Sequence, residues 1–158
     1  MVGKSILKDM TYKELQARLA ENDRKMAEME AILHEKIDIE MKSKHPDRIA
    51  VLRMKEQISS IRSRSIRQTD RLKKEYAMQN SPADIGDVIE AEIKVCRGGS
   101  SVREVIRFMR VERIEVAAFE EPQLTYYGTY LRRDGTPQAR QMFVPIHQKD
   151  ITRVVKSK

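Results

Sequence analysis

Tryptophan is absent from the 158 residues of this chain, and a single cysteine, Cys96, is present. One thiol excludes an internal disulfide and any cysteine-based zinc cluster. Preceded by Ile93, Lys94 and Val95, it reads as a buried, inert side chain. No apolar run approaches the roughly 18 residues of a membrane span. The opening MVGKSILKDM lacks the apolar core of a signal peptide, so a cytoplasmic protein that does not enter membranes is expected. The three histidines, His34, His45 and His147, lie far apart. No phosphate loop of the GxxxxGK[ST] form, no GxGxxG and no GxSxG occurs. His147 near Asp150 has no nucleophile beside it and reads as part of a tight turn. Asp84, Asp87, Glu90 and Glu92 read as a solvated strand edge. No catalytic residue, metal ligand or cofactor is assigned, and a non-enzymatic protein is expected.

Glycine and proline are scarce and unevenly placed. Before Asn80-Ser81-Pro82 the only proline is Pro46 and no glycine follows Gly3, whereas five of the six glycines lie beyond it. Since both residues punctuate turns, helix is expected before this point and short strands after it. Thr11 with Glu14 has the form of a capping box. Leu15, Leu19, Asn22, Met26, Met29 and Leu33 follow as heptad a and d positions, with Ile37 after them. KSKHPDR interrupts the pattern. Pro46 suits the first turn of a new helix, with Asp47 at its positive end. Val51, Met54, Ile58, Ile61, Ser65, Gln68 and Leu72 form the second seam. Two helices of about 32 residues, each about 48 Å long, around a short break predict an antiparallel hairpin. Folding at residues 44–45 places Asn22 opposite Ser65 and Gln68, so the polar breaks of the two seams meet. Pairing of these helices between chains, giving a homodimer, is the alternative.

What the chain does have is positive charge. Its formal net charge is +7 and its isoelectric point is near 9.6, which points to an acidic partner, nucleic acid or protein. Between Lys42 and Glu75 eleven basic residues stand against four acidic ones. The densest stretch, RSRSIRQTDRLKK from Arg62 to Lys74, keeps helical spacing through Ile61, Ser65 and Leu72. It is therefore a helix face and not a disordered Arg-Ser tract. Arg64, Arg67, Arg71 and Lys74 share one flank, with Arg18 and Lys25 across the seam. On the other flank Asp23 and Glu30 face Arg62 and Lys55. The first flank is left uncompensated, and a polyanion would relieve its repulsion.

The second half alternates with a period of two, as in ADIGDVIEAEIKVCR. RGGS reads as a turn. VREVIRFMRVERIEV reads as a long strand with a bulge between Phe108 and Val111. LTYYGTYLRR, the turn Arg133-Asp134-Gly135-Thr136, QMFVPI, a tight turn at His147–Asp150 and ITRVV complete five strands. The order, with Val144-Pro145 leading through one turn into Ile151–Val155, resembles SH3-like small barrels of the Tudor or KOW type. That resemblance implies a binding module for protein or nucleic acid. Tyr126, Tyr127 and Tyr130 with Arg132 and Arg133 offer a stacking, cationic surface, against the plain alternative that alternate tyrosines are core.

The expected fold is therefore α+β: an antiparallel two-helix coiled-coil hairpin over residues 1–80 and a small five-stranded SH3-like antiparallel β-barrel over 84–158. A helical hairpin before a compact β-rich domain resembles the Gre-type transcript cleavage factors, which place paired acids at the hairpin tip inside RNA polymerase. Here the tip carries Lys42, Lys44, His45 and Arg48, with Asp47 as its one acid, so that family's catalytic residues do not carry over. These four tip residues are candidate partner contacts. Arg18, Lys25, Arg64, Arg67, Arg71, Lys74, Tyr127, Arg132 and Arg133 are candidate nucleic-acid contacts. The expected role is a phage or bacterial accessory factor, with a basic hairpin on nucleic acid or its machinery and the barrel docking a protein. The rivals are an assembly protein oligomerising through its helices, an inhibitor of a host or defence enzyme, and a polymerase-binding factor without catalytic acids.

Overall fold

The computed structural model describes residues 9–96, 99, 101–117, 119–141 and 144–158. The chain falls into two compact units, Met1–Tyr76 and Ala77–Lys158. Together they hold two long helices followed by a five-stranded antiparallel sheet, an α+β arrangement.

In the first unit α1 spans Tyr12–Met41 and α2 spans Arg48–Gln79. Thr11 Oγ1 accepts from the Glu14 amide at 3.2 Å, and Glu14 Oε2 accepts from the Thr11 amide at 2.8 Å, closing the expected capping box. Pro46 stands before α2 and not in its first turn. The helix is started by Asp47, whose Oδ1 accepts from the amides of Ile49 (3.0 Å) and Ala50 (3.1 Å). A carboxylate there satisfies helix N–H groups that have no carbonyl partner.

The helices pack antiparallel in the predicted register. Leu15 meets Leu72 and Tyr76 at one end, and Ile37 meets Val51 and Ile58 near the tip. Between them the Asn22 side-chain amide donates to the Ser65 carbonyl (3.2 Å), to Ser65 Oγ (3.1 Å) and to Thr69 Oγ1 (3.1 Å). Thr69 takes the place expected for Gln68. Met29, expected in the seam, is 45% exposed. Its place goes to Glu30, which bonds Arg62 across the seam at 2.6 and 3.1 Å. A straight α-helix drifts about 20° per heptad from a 3.5-residue repeat, so over the two heptads from Leu15 to Met29 the buried line moves from position 29 towards position 30. Leu15, Met26 and Ile37, eleven residues apart, follow that drift.

In the second unit β1 (Val88–Cys96), β2 (Val102–Ala117), β3 (Gln123–Leu131), β4 (Ile146–His147) and β5 (Ile151–Val155) form one sheet ordered β4-β3-β2-β1-β5. Every pairing is antiparallel. The expected barrel is not closed: β4 and β5 are the two ends of the sheet, and no ladder joins them among the described residues. β4 is two residues long, too short to carry such a ladder, and the 3-10 turn Gln148–Asp150 leads directly from it into β5. Among the described residues of the strand expected at QMFVPI only Ile146 lies in a strand; Met142 and Phe143 lie outside the described residues, as do Arg97, Gly98 and Ser100 of the RGGS turn.

Ile89, Ala91, Met109, Val111, Leu124, Tyr126, Tyr130 and Ile146 make the core on one face of the sheet, together with Ala77 and Ala83. The β2 bulge falls just after the predicted place: Val111 pairs with Gly128 and Arg113 with Tyr127, so Glu112 is the extra residue. Here β2 and β3 come so close that a Cβ on Gly128 would lie 1.9 Å from the Arg110 carbonyl oxygen. Glycine is the only residue that fits. At the turn after β3, Gly135 adopts φ 84°, and Asp134 Oδ1 accepts from the Thr136 amide at 2.9 Å. Cys96, expected to be buried, is exposed. It ends β1 beyond Ala91, the last β1 residue that β5 pairs, and among the described strands only β2 pairs it.

The segment after β5 is tied to the start of the sheet by Asp87, which is 2% exposed. Its carboxylate accepts from the amides of Asp84 (2.8 Å) and Ser157 (2.9 Å) and from Lys156 Nζ (2.9 Å). These donors, the Asp84 amide first, hold the carboxyl well below its ordinary value near 3.8, at about 2. Asp87, read from the sequence as a solvated edge, is a structural anchor.

Candidate nucleic-acid interface

The first candidate surface lies on the hairpin. Arg64, Arg67, Arg71 and Lys74 recur along α2 at three- and four-residue spacing, so they share a flank, and all four are exposed. Lys25 of α1 is brought beside Arg64, for both line one groove of about 240 Å³ with Met26 and Ile61. The charges divide into two sets. Lys25 Nζ is 3.5 Å from Glu21, and Arg71 Nε is 2.8 Å from Glu75, so these two cations, expected to be uncompensated, have acids within their own helices. Arg18, Arg64, Arg67 and Lys74 make no ion pair among the described residues. On the opposite flank Arg62 bonds Glu30 and holds its carboxyl below the usual range, while Asp23 and Lys55, expected to be paired there, make no ion pair among the described residues.

Lys42, Lys44, His45 and Arg48 are exposed around the α1–α2 connection. Lys42 caps α1, its amide donating to the Asp38 carbonyl at 3.2 Å. The Asp47 amide donates to Glu40 Oε1 at 2.8 Å, so an acid fixes the connection from inside while its cationic side chains remain outside.

On the sheet the predicted tyrosine surface is reduced to one ring. Tyr126 and Tyr130 are core, each 0% exposed, with Tyr126 Oη 2.9 Å from Ser81 Oγ and Tyr130 Oη donating to the Val144 carbonyl at 2.6 Å. Burial raises both phenols above their ordinary value. Strand alternation puts Tyr127 on the other face, where the Arg113 guanidinium covers its ring at 4.4 Å from the centroid. Arg132 and Arg133 are exposed at the start of the turn after β3.

Two arginines that were not singled out join Arg133. Arg103 and Arg107 lie on β2 with Val105 between them and Met109 and Val111 beyond, all on the core-facing side of the strand. Arg103, Arg107 and Arg133 line a cleft of about 410 Å³ with Val95 and Val105. Arg107 Nε is buried and has no hydrogen-bond partner. The signal was available in VREVIRFMRVER: strict alternation from the buried Met109 puts both arginines at inward positions, where a charge is unusual.

Among the described residues no group of three or more His, Cys, Asp or Glu side chains is arranged to hold a metal ion. No helix among them is long and apolar enough to cross a membrane. His147 leads into the 3-10 turn, with the Phe119 ring edge-on at 5.6 Å and Thr125 Oγ1 at 3.4 Å. Compared with protein-family models, curated proteins and solved structures, the chain matches none.

Proposed function

We propose that this chain is a non-enzymatic accessory protein that binds nucleic acid through the cationic flank of its helical hairpin and docks a protein through its β domain. The observation that carries this reading is the run of Arg18, Arg64, Arg67 and Lys74, exposed side chains with no ion pair among the described residues. Acids on both helices pair with other cations, as Glu21, Glu28 and Glu30 of α1 and Glu75 of α2 do, and none of these pairs includes the four. Regularly spaced cations on a helix match a phosphate backbone without reading its sequence. The cationic tip of Lys42, Lys44, His45 and Arg48 would extend the same contact, and a cytoplasmic setting suits it. The hairpin over residues 1–80 and the β domain over 84–158 are taken as the two working parts. An SH3-like reading of the second is supported by its strand order and by the 3-10 turn between β4 and β5.

The test is binding of the whole protein to labelled single- and double-stranded oligonucleotides of neutral sequence, beside the variant Arg64→Gln/Arg67→Gln/Lys74→Gln. The variant is expected to bind about tenfold or more weakly at about 50 mM salt with unchanged helicity. Equal binding by the two proteins refutes the reading.

A second reading, assembly through the hairpin, is favoured by one observation. Met29, Ile32 and Leu33 line an open groove of about 620 Å³ with Ile61, Arg53 and Arg64, and Ile49, Leu52 and Ile66 are also exposed. Light scattering separates the two: a stable oligomer without nucleic-acid affinity belongs to the second.

A further inference from the structure

The cleft on the sheet carries more than general basicity. Guanidinium groups seldom occupy inward positions of a strand unless something satisfies them, because an unpaired buried donor is costly. Arg107 stands inward at the point where the core ends. Its β1 partner is the buried Ala91, and two residues further along β2 lies the buried Met109. Its Nε is buried without a partner. Its charge is felt by the Tyr130 phenol, where it opposes the upward push of burial.

Arg103 projects on the same side two residues past Val105, and Arg133 closes the cleft from beyond the end of β3. The one acid lining the cleft, Glu104, belongs to the other face of β2, where its carboxylate is 3.9 Å from Lys94 Nζ. Three arginines thus line a concave space, with no acid on their own side of the strand among the cleft-lining residues.

The space suits an oxyanion. A phosphate presents several oxygens to the forked N–H groups of arginine, and one held by three arginines would accept from their terminal N–H groups. The opening is also large enough for more than a single ion, and the apolar Val95 and Val105 give it a floor on which a sugar or base edge can rest.

We infer that Arg103, Arg107 and Arg133 form a phosphate site that takes a backbone phosphodiester of a nucleic-acid strand, with the half-buried Arg107 as its anchor. The choice of nucleic acid over another phosphate source rests on the functional reading above, and the site itself rests on the geometry of the cleft. The sheet unit then holds the strand at a point of its own, separate from the hairpin flank.

The experiment uses the full-length protein with a single-stranded thymidine oligonucleotide, inorganic phosphate and an acidic peptide as probes. NMR of the arginine Nε–H groups reports occupancy of the cleft, and salt titration of binding reports the number of phosphates engaged. The Arg107 Nε–H resonance is expected to shift with the oligonucleotide and to saturate with it. Arg107→Met should weaken oligonucleotide binding about tenfold at about 50 mM salt and reduce the slope of log K against log salt by about one, the loss of one phosphate; Arg103→Gln/Arg133→Gln, which disables the same site, should reduce it by about one as well. Arg107→Lys, which keeps the charge but not the fork, should fail to restore full binding.

If the hairpin variant loses binding while Arg107→Met and Arg103→Gln/Arg133→Gln, both folded by circular dichroism, bind as the parent does, the phosphate site is refuted and the hairpin reading stands. If neither set changes binding, both fall. A shift of Arg107 with phosphate or acidic peptide but not with the oligonucleotide overturns the nucleic-acid assignment. Should Arg107→Met fail to fold, Arg103→Gln/Arg133→Gln at the cleft mouth decides the question alone.

Discussion

Asp87 ties the two ends of the sheet unit together. Its carboxylate gathers the Asp84 and Ser157 amides and the Lys156 ammonium at 2.8 to 2.9 Å, joining the loop before β1 to the segment after β5. Asp87→Ala leaves those donors without a carboxylate, and we expect a loss of about 2–4 kcal/mol in unfolding free energy, measured by urea titration. The pH dependence has a defined direction. The folded carboxyl titrates at about 2 against an ordinary value near 3.8, so its stabilisation is fully present above about pH 4. It is lost as pH falls from there towards 2. Thermal melts between pH 5 and 2 should show the parent losing stability in that window and Asp87→Ala losing less. Gly128 sets a second limit at this scale. Alanine there would place a methyl group 1.9 Å from the Arg110 carbonyl oxygen, so the β2 bulge or the β2–β3 ladder must move. Gly128→Ala should lower the melting temperature by several degrees or prevent folding, and an unchanged melt would show that the close approach is not real.

At the scale of elements, the helices were readable and the sheet only in outline. Helical spacing, the Thr11–Glu14 box and the scarcity of glycine located both helices and their register, because a two-helix seam writes its burial directly into sequence periodicity. The exception, Met29, shows where a strict heptad fails: the geometry of a straight helix hands the seam to Glu30, and a charged residue there is accepted because Arg62 meets it. The strands are legible in alternation, but the expected closure into a barrel fails, because pairing between the edge strands β4 and β5 depends on the short turn that joins them, which alternation does not report. The same gap explains Cys96, whose neighbours looked like core while the β5 ladder stops at Ala91. The candidate site was half legible. Arginines on a helix face announce themselves by spacing, whereas Arg103 and Arg107 look like ordinary strand charges until Met109 and Val111 fix which side faces in. Asn22 tests the helical register most directly. Asn22→Ala removes the donor shared by Ser65 and Thr69 and should cost about 1–2 kcal/mol, seen in helix melting at 222 nm. Asn22→Leu should relax the register that the polar contact specifies, detected as new cross-links between introduced cysteines one turn out of alignment.

For the whole molecule the deciding quantity is the distribution of its +7 charge between faces that are neutralised and faces that are not. A second copy of the chain could cover the exposed Met29 and Ile32, yet the groove they line is edged by Arg53 and Arg64 against the single acid Glu56. A two-fold contact between such grooves would set like charges together across an apolar seam, which disfavours association. A polyanion meets the same surface with the opposite sign. Light scattering at micromolar concentration should therefore give a monomer in the absence of nucleic acid. Oligonucleotide affinity should fall by an order of magnitude or more between about 50 and 200 mM salt, as multiple phosphate contacts require. Met29→Lys, which adds a cation at the groove, should leave the mass unchanged and strengthen binding slightly. If it instead turns a dimer into a monomer and leaves no nucleic-acid affinity in either protein, the exposed apolar line is a subunit contact and the arginine flank is its solvated edge.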